Sequence, residues 1–149
     1  MRAVIQRVSR ASVSIDNTIV SSIDRGLLIL AGFHKEDTET DSDYIISKST
    51  GLRIFEDSNG LMNLSVSDIG GEILVVSQFT LYGDSRKGRR PSFSTSMPPA
   101  EALIFYDSFI NRFRESFHSL KCGVFAADME VSLVNSGPVT IILDSSKIL

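Results

Sequence analysis

Apolar and polar residues alternate weakly over the first part of the chain. Residues 3–8 and 11–15 have this pattern, a turn is favoured at residues 16–17, and residues 18–23 follow as the returning strand of a hairpin. Residues 27–33 are apolar on both faces, which is typical of a central strand covered on both sides. The region therefore predicts a sheet that contains one deeply buried strand.

Two stretches have helical periodicity. The first follows the charged residues 35–40, where Thr38 and Asp41 have the spacing of a capping box, and it is predicted to run to about residue 50 or 52. The second follows Pro99, which suits a first helical turn. Its apolar residues are spaced alternately three and four apart, and they are Leu103, Tyr106, Ile110, Phe113 and Phe117.

Further strands are predicted on either side of the second helix, at residues 52–55, 61–66, 72–80, 129–134 and 139–143. The order is strands, helix, strands, helix, strands, with tight connections that favour antiparallel pairing. We predict an α+β fold in which a mainly antiparallel β-sheet forms a barrel-like core and two main helices pack on one side of it. A chain of 149 residues has the size of one domain, so residues 1–149 are expected to form a single domain.

Composition narrows the class of protein. The hydrophobic content of 42% and the charged content of 22% are ordinary for a globular chain, and the net charge of −3 argues against a surface covered with positive charge for nucleic acid. No apolar run is long enough to span a bilayer, and the first residues lack the apolar core of a signal peptide. The single cysteine, Cys122, fits a reducing compartment. We therefore expect a cytoplasmic protein without a membrane partner.

Metal and cofactor sites are not predicted. His34, His118 and Cys122 are far apart in the sequence, and no cluster has the spacing of zinc ligands. No glycine-rich phosphate loop precedes a predicted helix. A catalytic triad would require one of the two histidines to fold next to Ser77 or Thr80, and nothing in the sequence supports that arrangement.

The strand predicted at residues 72–80 changes character before it ends. After an apolar run it continues through Ser77, Gln78, Phe79 and Thr80, and two hydroxyls and an amide are more polar groups than a packing strand needs. No general base is evident beside them. Backbone N–H groups can still stabilise a tetrahedral oxyanion, each donor contributing roughly 3–4 kcal/mol, so such a site is suited to an activated ester.

Two further segments are candidates for function. The loop after the polar strand carries Arg86, Lys87, Arg89 and Arg90 within five residues, a cationic group suited to phosphates, although a solvated loop would have the same composition. The other is the segment Asn-Ser-Gly-Pro at residues 135–138. It predicts either a plain turn between two strands or a rigid backbone element that faces a ligand.

These motifs, taken in order, resemble the D-aminoacyl-tRNA deacylase family. The two signature motifs of that family are matched at residues 77–81 and 135–140. The likeness extends through residues 1–8, 52–55, 62–65, 87–93, 123–125 and 127–129. The resemblance implies a homodimer that hydrolyses the ester between a D-amino acid and tRNA and also releases glycine mischarged onto tRNA. No cofactor is expected, and the sequence leaves open whether a metal ion helps the tRNA to fold in the site.

The same resemblance assigns roles to residues. Gly137 and Pro138, joined by a cis peptide bond, would form a chirality filter that reaches into the pocket of the partner subunit and leaves no room for an L side chain. Residues 77–80 would line the pocket for the 3′-terminal adenosine and the ester, with oxyanion donors near Phe79, while the basic loop would meet acceptor-stem phosphates. The chemistry is driven either by Thr80 as nucleophile or, as we favour because no base is evident, by the tRNA's own 2′-hydroxyl.

Two positions depart from the family pattern, since Ser136 stands where an acidic residue is common and Gly83 stands where alanine is frequent. Neither change alters Gly137 or Pro138. The alternative hypothesis is a nucleic-acid-binding module without catalysis, for example one that binds DNA at replication origins, a role to which some eukaryotic relatives have been tied. The basic loop supports this alternative, and the acidic sequence pI of about 5.3 counts against it.

Overall fold

A computed structural model describes residues 1–148 of the chain, and its elements confirm the predicted order of strands and helices. They are β1 (Arg2–Ile15), β2 (Thr18–Ile23), β3 (Gly26–Gly32), α1 (Glu39–Gly51), β4 (Phe55–Glu56), β5 (Met62–Leu64), β6 (Glu72–Ser77), a 3-10 helix (Phe79–Tyr82), α2 (Pro99–Ser116), β7 (Leu120–Cys122) and β8 (Glu130–Asp144). The capping box predicted between Thr38 and Asp41 is present at the start of α1.

The long strand β1 is the centre of the main sheet. On one edge its first half pairs antiparallel with β3 and its second half pairs antiparallel with β2. Its other edge pairs antiparallel with β8 along most of its length. The sequence pattern predicted two separate strands at residues 3–8 and 11–15. They form one strand because β8 pairs with both halves and holds the chain extended between them.

The pairing of β6 differs from the prediction. β6 runs parallel to β3 on one side and parallel to β7 on the other, so the inference of antiparallel pairing from tight connections was wrong for this strand. Parallel neighbours need a crossover connection. The segment that contains α1 and the small β4–β5 hairpin supplies the first crossover, and α2 supplies the second. The sheet is therefore mixed, with antiparallel pairing around β1.

The sheet curls until β2 approaches β6 and β7. The ammonium of Lys121 on β7 donates to the carbonyl oxygen of Ser22 on β2 at 2.6 Å and pairs with the Glu72 carboxylate at 2.9 Å. The same carboxylate accepts from the backbone N–H of Asp24 at 2.7 Å. These contacts hold the sheet in a nearly closed, barrel-like shape, which confirms the predicted α+β fold with a barrel-like core.

Alternate residues of the central strands point into two apolar cores. Leu28 of β3 and Leu74 of β6 lie inside the curl of the sheet, whereas Leu27 and Ile29 lie on the face that both helices cover. The prediction that the strand at residues 27–33 is buried on both faces is confirmed. Burial of this kind contributes about 1.5–3 kcal/mol for each large aliphatic side chain.

Helix α2 packs on the sheet through its aromatic residues. Phe109 and Phe113 are fully buried, and the Phe109 ring lies 6.0 Å from the Phe33 ring in an edge-on arrangement. Leu103 was predicted on the buried face but is 45% exposed, because Ala102 one position earlier turns toward the core instead. Helix α2 therefore packs against the end of β3. The end of β3 and the first turn of α2 both border the cleft described next.

Candidate active site

The polar end of β6 does not continue as a strand. The ladder with β3 stops at the pair of Ala31 and Ser77, because β3 itself ends one residue later. The N–H of Gln78 still donates to the carbonyl oxygen of Ala31 at 2.7 Å, and the chain then winds into the 3-10 helix. Strand alternation therefore does not govern Gln78 and Thr80. Their side chains meet directly, with the Gln78 amide donating to the Thr80 hydroxyl at 2.5 Å.

A cleft of about 670 Å³ opens beside this strand end. Ser77, Gln78 and Phe79, three of the residues predicted to line a pocket, lie along one side of it. The first turn of α2 forms another side through Pro99 and Ala102. Thr80, the fourth residue of the predicted set, is exposed on the 3-10 helix and does not line the cleft.

The opposite wall is the loop between β7 and β8, which sequence reasoning gave no role in the site. It contributes Phe125, Ala126, Ala127, Asp128 and Met129. Ala126 has a positive φ of 60°, a left-handed conformation that is uncommon for a residue with a side chain and that clusters at functional sites. The one sequence signal for this wall was the likeness at residues 123–125 and 127–129, which carried no chemical role.

Neither histidine lies in this cleft. His34 borders a neighbouring polar cleft of about 750 Å³, where its ring lies 5.4 Å from the Tyr82 ring and its Nδ1 accepts from the backbone N–H of Glu36 at 3.2 Å. Burial raises the pKa of the Tyr82 phenol, and the charge of Asp37 raises it further, so this phenol stays protonated. Within residues 1–148, neither His34 nor His118 lines the cleft beside Ser77, so Ser77 has no histidine base there, and the acidic side chain in the lining is Asp128.

The segment with Gly137 and Pro138 is not a turn between two strands. It lies within β8, and β1 pairs with β8 on both sides of it, with irregular register where the segment bulges. The peptide bond between Gly137 and Pro138 is cis. Gly137 has φ of +136°, and a Cβ there would lie 2.8 Å from the Val139 side chain and 2.9 Å from Arg7 Nη2, so only glycine fits.

Hydrogen bonds hold this bulge from both sides. The buried guanidinium of Arg7 donates to the carbonyl oxygens of Ser136 at 2.8 Å and Ile54 at 2.6 Å. The Asn135 side chain accepts from the N–H of Val139 at 2.8 Å and donates to its carbonyl oxygen at 3.2 Å. Gly137 and Pro138 themselves are exposed and do not line the cleft of their own chain. Within one chain, therefore, Gly137 and Pro138 lie outside the cleft that Ser77, Gln78 and Phe79 line.

The basic loop, residues 84–92, is closed at its base by hydrogen bonds between its two ends. Asp84 and Ser92 exchange backbone hydrogen bonds of 2.8 and 2.9 Å and tie its two ends together. Arg86 folds back on Asp84 with side-chain hydrogen bonds of 2.9 and 2.7 Å, and this pairing lowers the pKa of the Asp84 carboxyl to about 2. Lys87, Arg89 and Arg90 are exposed. The four predicted cations therefore belong to one closed loop, and one of them, Arg86, is paired with a carboxylate.

Within residues 1–148, no three or more His, Cys, Asp or Glu side chains converge on a possible metal position. Neither α1 nor α2 has the length and apolar composition that crossing a membrane requires.

Known proteins are similar to this chain along almost all of its length. Residues 4–144 match the family described as D-Tyr-tRNA(Tyr) deacylase. The chain is 55% identical over 148 residues to a D-aminoacyl-tRNA deacylase of Thermotoga petrophila and 54% identical over 147 residues to one of Clostridioides difficile. In both comparisons 99% of this chain and 99% of the relative are covered.

Solved structures share its fold. A structure described as "c-Myc DNA Unwinding Element Binding Protein" superposes with a TM-score of 0.92 at 43% identity, covering 97% of this chain and 98% of the other. A "probable eukaryotic D-amino acid tRNA deacylase" superposes with a TM-score of 0.80 at 17% identity, covering 95% and 97%. At 17% identity, the second comparison shows only that the two proteins have the same fold.

Proposed function

Because this chain belongs to the D-aminoacyl-tRNA deacylase family, we propose that it hydrolyses the ester bond of D-aminoacyl-tRNA to free D-amino acid and tRNA, a chirality proofreading step in translation. The observation that carries this proposal is the match to curated deacylases along 99% of the chain at 55% identity. Glycine mischarged onto tRNA is a second substrate of the proposed enzyme, because an achiral residue has no side chain for the filter to reject. We infer that the reaction takes place in the cytoplasm, where aminoacyl-tRNA is used.

The cleft supports ester hydrolysis without a side-chain base. In the proposed reaction water attacks the ester carbonyl, the bond between the acyl carbon and the ribose oxygen breaks, and a proton goes to that oxygen. The N–H group of Phe79, which lines the cleft, lies in the first turn of the 3-10 helix, where the helix supplies no acceptor, and it donates to the oxyanion. Ser77 and Gln78 hold the terminal adenosine, and the tRNA's 2′-hydroxyl assists the attacking water.

The chirality filter is proposed to act across a dimer interface. Gly137 and Pro138 are exposed and outside their own cleft, so they reach an ester only if a second subunit brings its cleft to them. Within residues 1–148, β1 is the strand that pairs with β8, which leaves the other edge of β8 open. Leu133, Val134 and Ile142 on β8 are exposed apolar side chains that such an interface would bury.

The basic loop is proposed to bind the acceptor stem of the tRNA. Lys87, Arg89 and Arg90 are exposed on an excursion whose ends are fixed, and Arg86 adds a charge that Asp84 partly neutralises. Contacts of this kind position the RNA without reading its sequence, which suits an enzyme that acts on many tRNAs.

Incubation with D-tyrosyl-tRNA and with L-tyrosyl-tRNA tests the function. The expected result is release of D-tyrosine at a rate at least 100-fold above that of L-tyrosine. Equal hydrolysis of both substrates, or of neither, would overturn the proposal. Sedimentation tests the dimer separately, since a fully active monomer contradicts the shared pocket and leaves the activity in place.

A second candidate function is nucleic-acid binding without catalysis. The observation in its favour is the solved structure with a DNA-binding description at 43% identity and a TM-score of 0.92. It predicts salt-sensitive binding to DNA or to uncharged RNA with no turnover of any aminoacyl ester. Binding that is tight on duplex DNA, together with no deacylation, would favour this function over the first.

A further inference from the structure

Two aromatic rings lie exposed at the mouth of the cleft. Phe79 is 58% exposed and Phe93 is 37% exposed, and their ring centroids are 5.0 Å apart with the planes at 64°. Both residues line the cleft. Burying these rings in the apolar core would stabilise the fold, so their position at an opening is not explained by packing. An exposed aromatic pair that continues a cleft favours a ligand with a flat, apolar face.

The backbone holds Phe93 in place from both sides. The residue before it, Ser92, is tied to Asp84, and the N–H of Ser96 donates to the carbonyl oxygen of Phe93 at 3.0 Å. A Cβ on Gly83 would lie 3.1 Å from the edge of the Phe93 ring, so the glycine lets this ring lie directly against the start of the basic loop. Phe93 is therefore held in place before any ligand binds, which lowers the entropy cost of binding.

The basic loop identifies the chemistry of the ligand. It connects the two aromatic residues in sequence, and it carries the exposed cations Lys87, Arg89 and Arg90. Aromatic side chains beside a cationic groove are the usual means by which proteins bind single-stranded nucleic acid, with one ring face for each base and cations for the phosphates.

We propose that Phe79 and Phe93 stack the unpaired base that precedes the terminal nucleotide at the 3′ end of the RNA. This inference rests on the proposed function for the placement of the terminal adenosine beside Ser77 and Gln78. The next nucleotide then leaves the cleft over the exposed faces of the two rings, and its phosphate points toward the basic loop. The pair binds the RNA strand one nucleotide away from the ester, so it selects a tRNA end over a free aminoacyl nucleoside.

The first test compares two esters. Phe93→Leu keeps the apolar bulk and removes the flat face, and Phe93→Tyr keeps both. For Phe93→Leu we expect kcat/KM on D-tyrosyl-tRNA to fall about 10-fold through KM, at least five times more than on D-tyrosyl-adenosine, and Phe93→Tyr to restore it. Ile104→Ala, an exposed apolar residue outside the cleft, is the control that changes neither ester. Equal losses on both esters, or no loss, would overturn the stacking site.

The second test needs no turnover. An uncharged RNA hairpin with an unpaired CCA end is compared with the same hairpin carrying an abasic site in place of the penultimate base. The wild-type protein is expected to bind the intact end about 10-fold more tightly, and Phe93→Leu is expected to lose that difference. If the protein binds both hairpins equally, the stacking site is excluded even where deacylation is present. If it discriminates between them but hydrolyses no ester, the stacking site stands and the proposed function falls.

Discussion

Arg7 donates from Nε to the carbonyl oxygen of Ser136 at 2.8 Å, and so joins the middle of β1 to the residue before the Gly137–Pro138 bulge. The same guanidinium donates from Nη1 to the carbonyl oxygen of Ile54 at 2.6 Å. Because the side chain is buried, solvent does not replace these bonds when they are lost. The position of the proposed filter therefore depends on Arg7, which lies 129 positions before Ser136 in the sequence.

Replacement of Arg7 tests this dependence. Arg7→Met leaves two carbonyl oxygens without their donor, so we expect the free energy of unfolding to fall by about 2–4 kcal/mol. The bulge is then no longer held in one position. We expect the ratio of the hydrolysis rate on D-tyrosyl-tRNA to that on L-tyrosyl-tRNA to fall by about 10-fold or more. Arg10→Met, an exposed residue of the same strand, is the matched control. An unchanged ratio in a folded Arg7→Met protein would show that selectivity does not depend on the hydrogen bonds of Arg7 to the bulge.

If the exposed cations of the basic loop contact tRNA phosphates, replacing one of them should weaken the salt dependence of tRNA binding. Each phosphate contact releases counterions, so Arg89→Ala should reduce the slope of log K against log salt concentration for tRNA binding by about 1. Lys48→Ala on α1, outside the loop, should leave the slope unchanged. The measurement is a titration of tRNA binding between low and moderate salt. Equal slopes for the wild-type and Arg89→Ala proteins would show that Arg89 does not contact an RNA phosphate.

Asp84 provides a pH test of the loop's internal pairing. The side-chain and backbone hydrogen bonds of Arg86 lower the pKa of Asp84 from its ordinary value of 3.8 to about 2. The folded pKa is the lower one, so the pairing stabilises the loop fully above about pH 4 and is lost as pH falls through about 2. NMR titration of the carboxyl measures this midpoint. Arg86→Ala should raise it toward 3.8, and a wild-type midpoint already near 3.8 would show that the pair does not form.

The elements that follow local patterns could be predicted from the sequence. Helix α1 carries its own capping box at Thr38 and Asp41, and the apolar spacing of α2 fixes its period. The strand at residues 27–33 is apolar on both faces because it has a core on each side. These signals lie within a few residues of the structure that they specify, so no knowledge of the rest of the chain is needed to read them.

The site depends on partners that are distant in the sequence, and this is why parts of it could not be predicted. The strand at residues 72–80 stops at Ser77 because β3 ends beside it, and Thr80 consequently leaves the cleft. The segment at residues 135–138 has the composition of a turn, yet pairing with β1 on both sides keeps it in one strand. The wall at residues 125–129 reaches the cleft through tertiary packing alone.

The packing of α2 predicts that replacing a buried residue of this helix lowers stability far more than replacing an exposed one. Phe109 is fully buried against Phe33 and Phe113, so Phe109→Ala should lower the free energy of unfolding by about 3–5 kcal/mol through lost burial and the cavity left behind. Ile104 on the same helix is 73% exposed, and Ile104→Ala should change stability by no more than about 0.5 kcal/mol. Urea denaturation measures both. Similar values for the two variants would contradict the assigned face of the helix.

The chemical role of Thr80 is open to a direct test. Its hydroxyl accepts a hydrogen bond from the Gln78 amide and lies exposed on the 3-10 helix, outside the cleft. A hydroxyl nucleophile needs a base to take its proton, and an amide nitrogen that donates to it cannot serve as one. We therefore expect Thr80→Ala to lower kcat on D-tyrosyl-tRNA by no more than about 10-fold, since the tRNA's 2′-hydroxyl remains. Single-turnover rates at saturating enzyme measure the chemical step, and a loss of several decades with intact tRNA binding would instead make Thr80 the nucleophile.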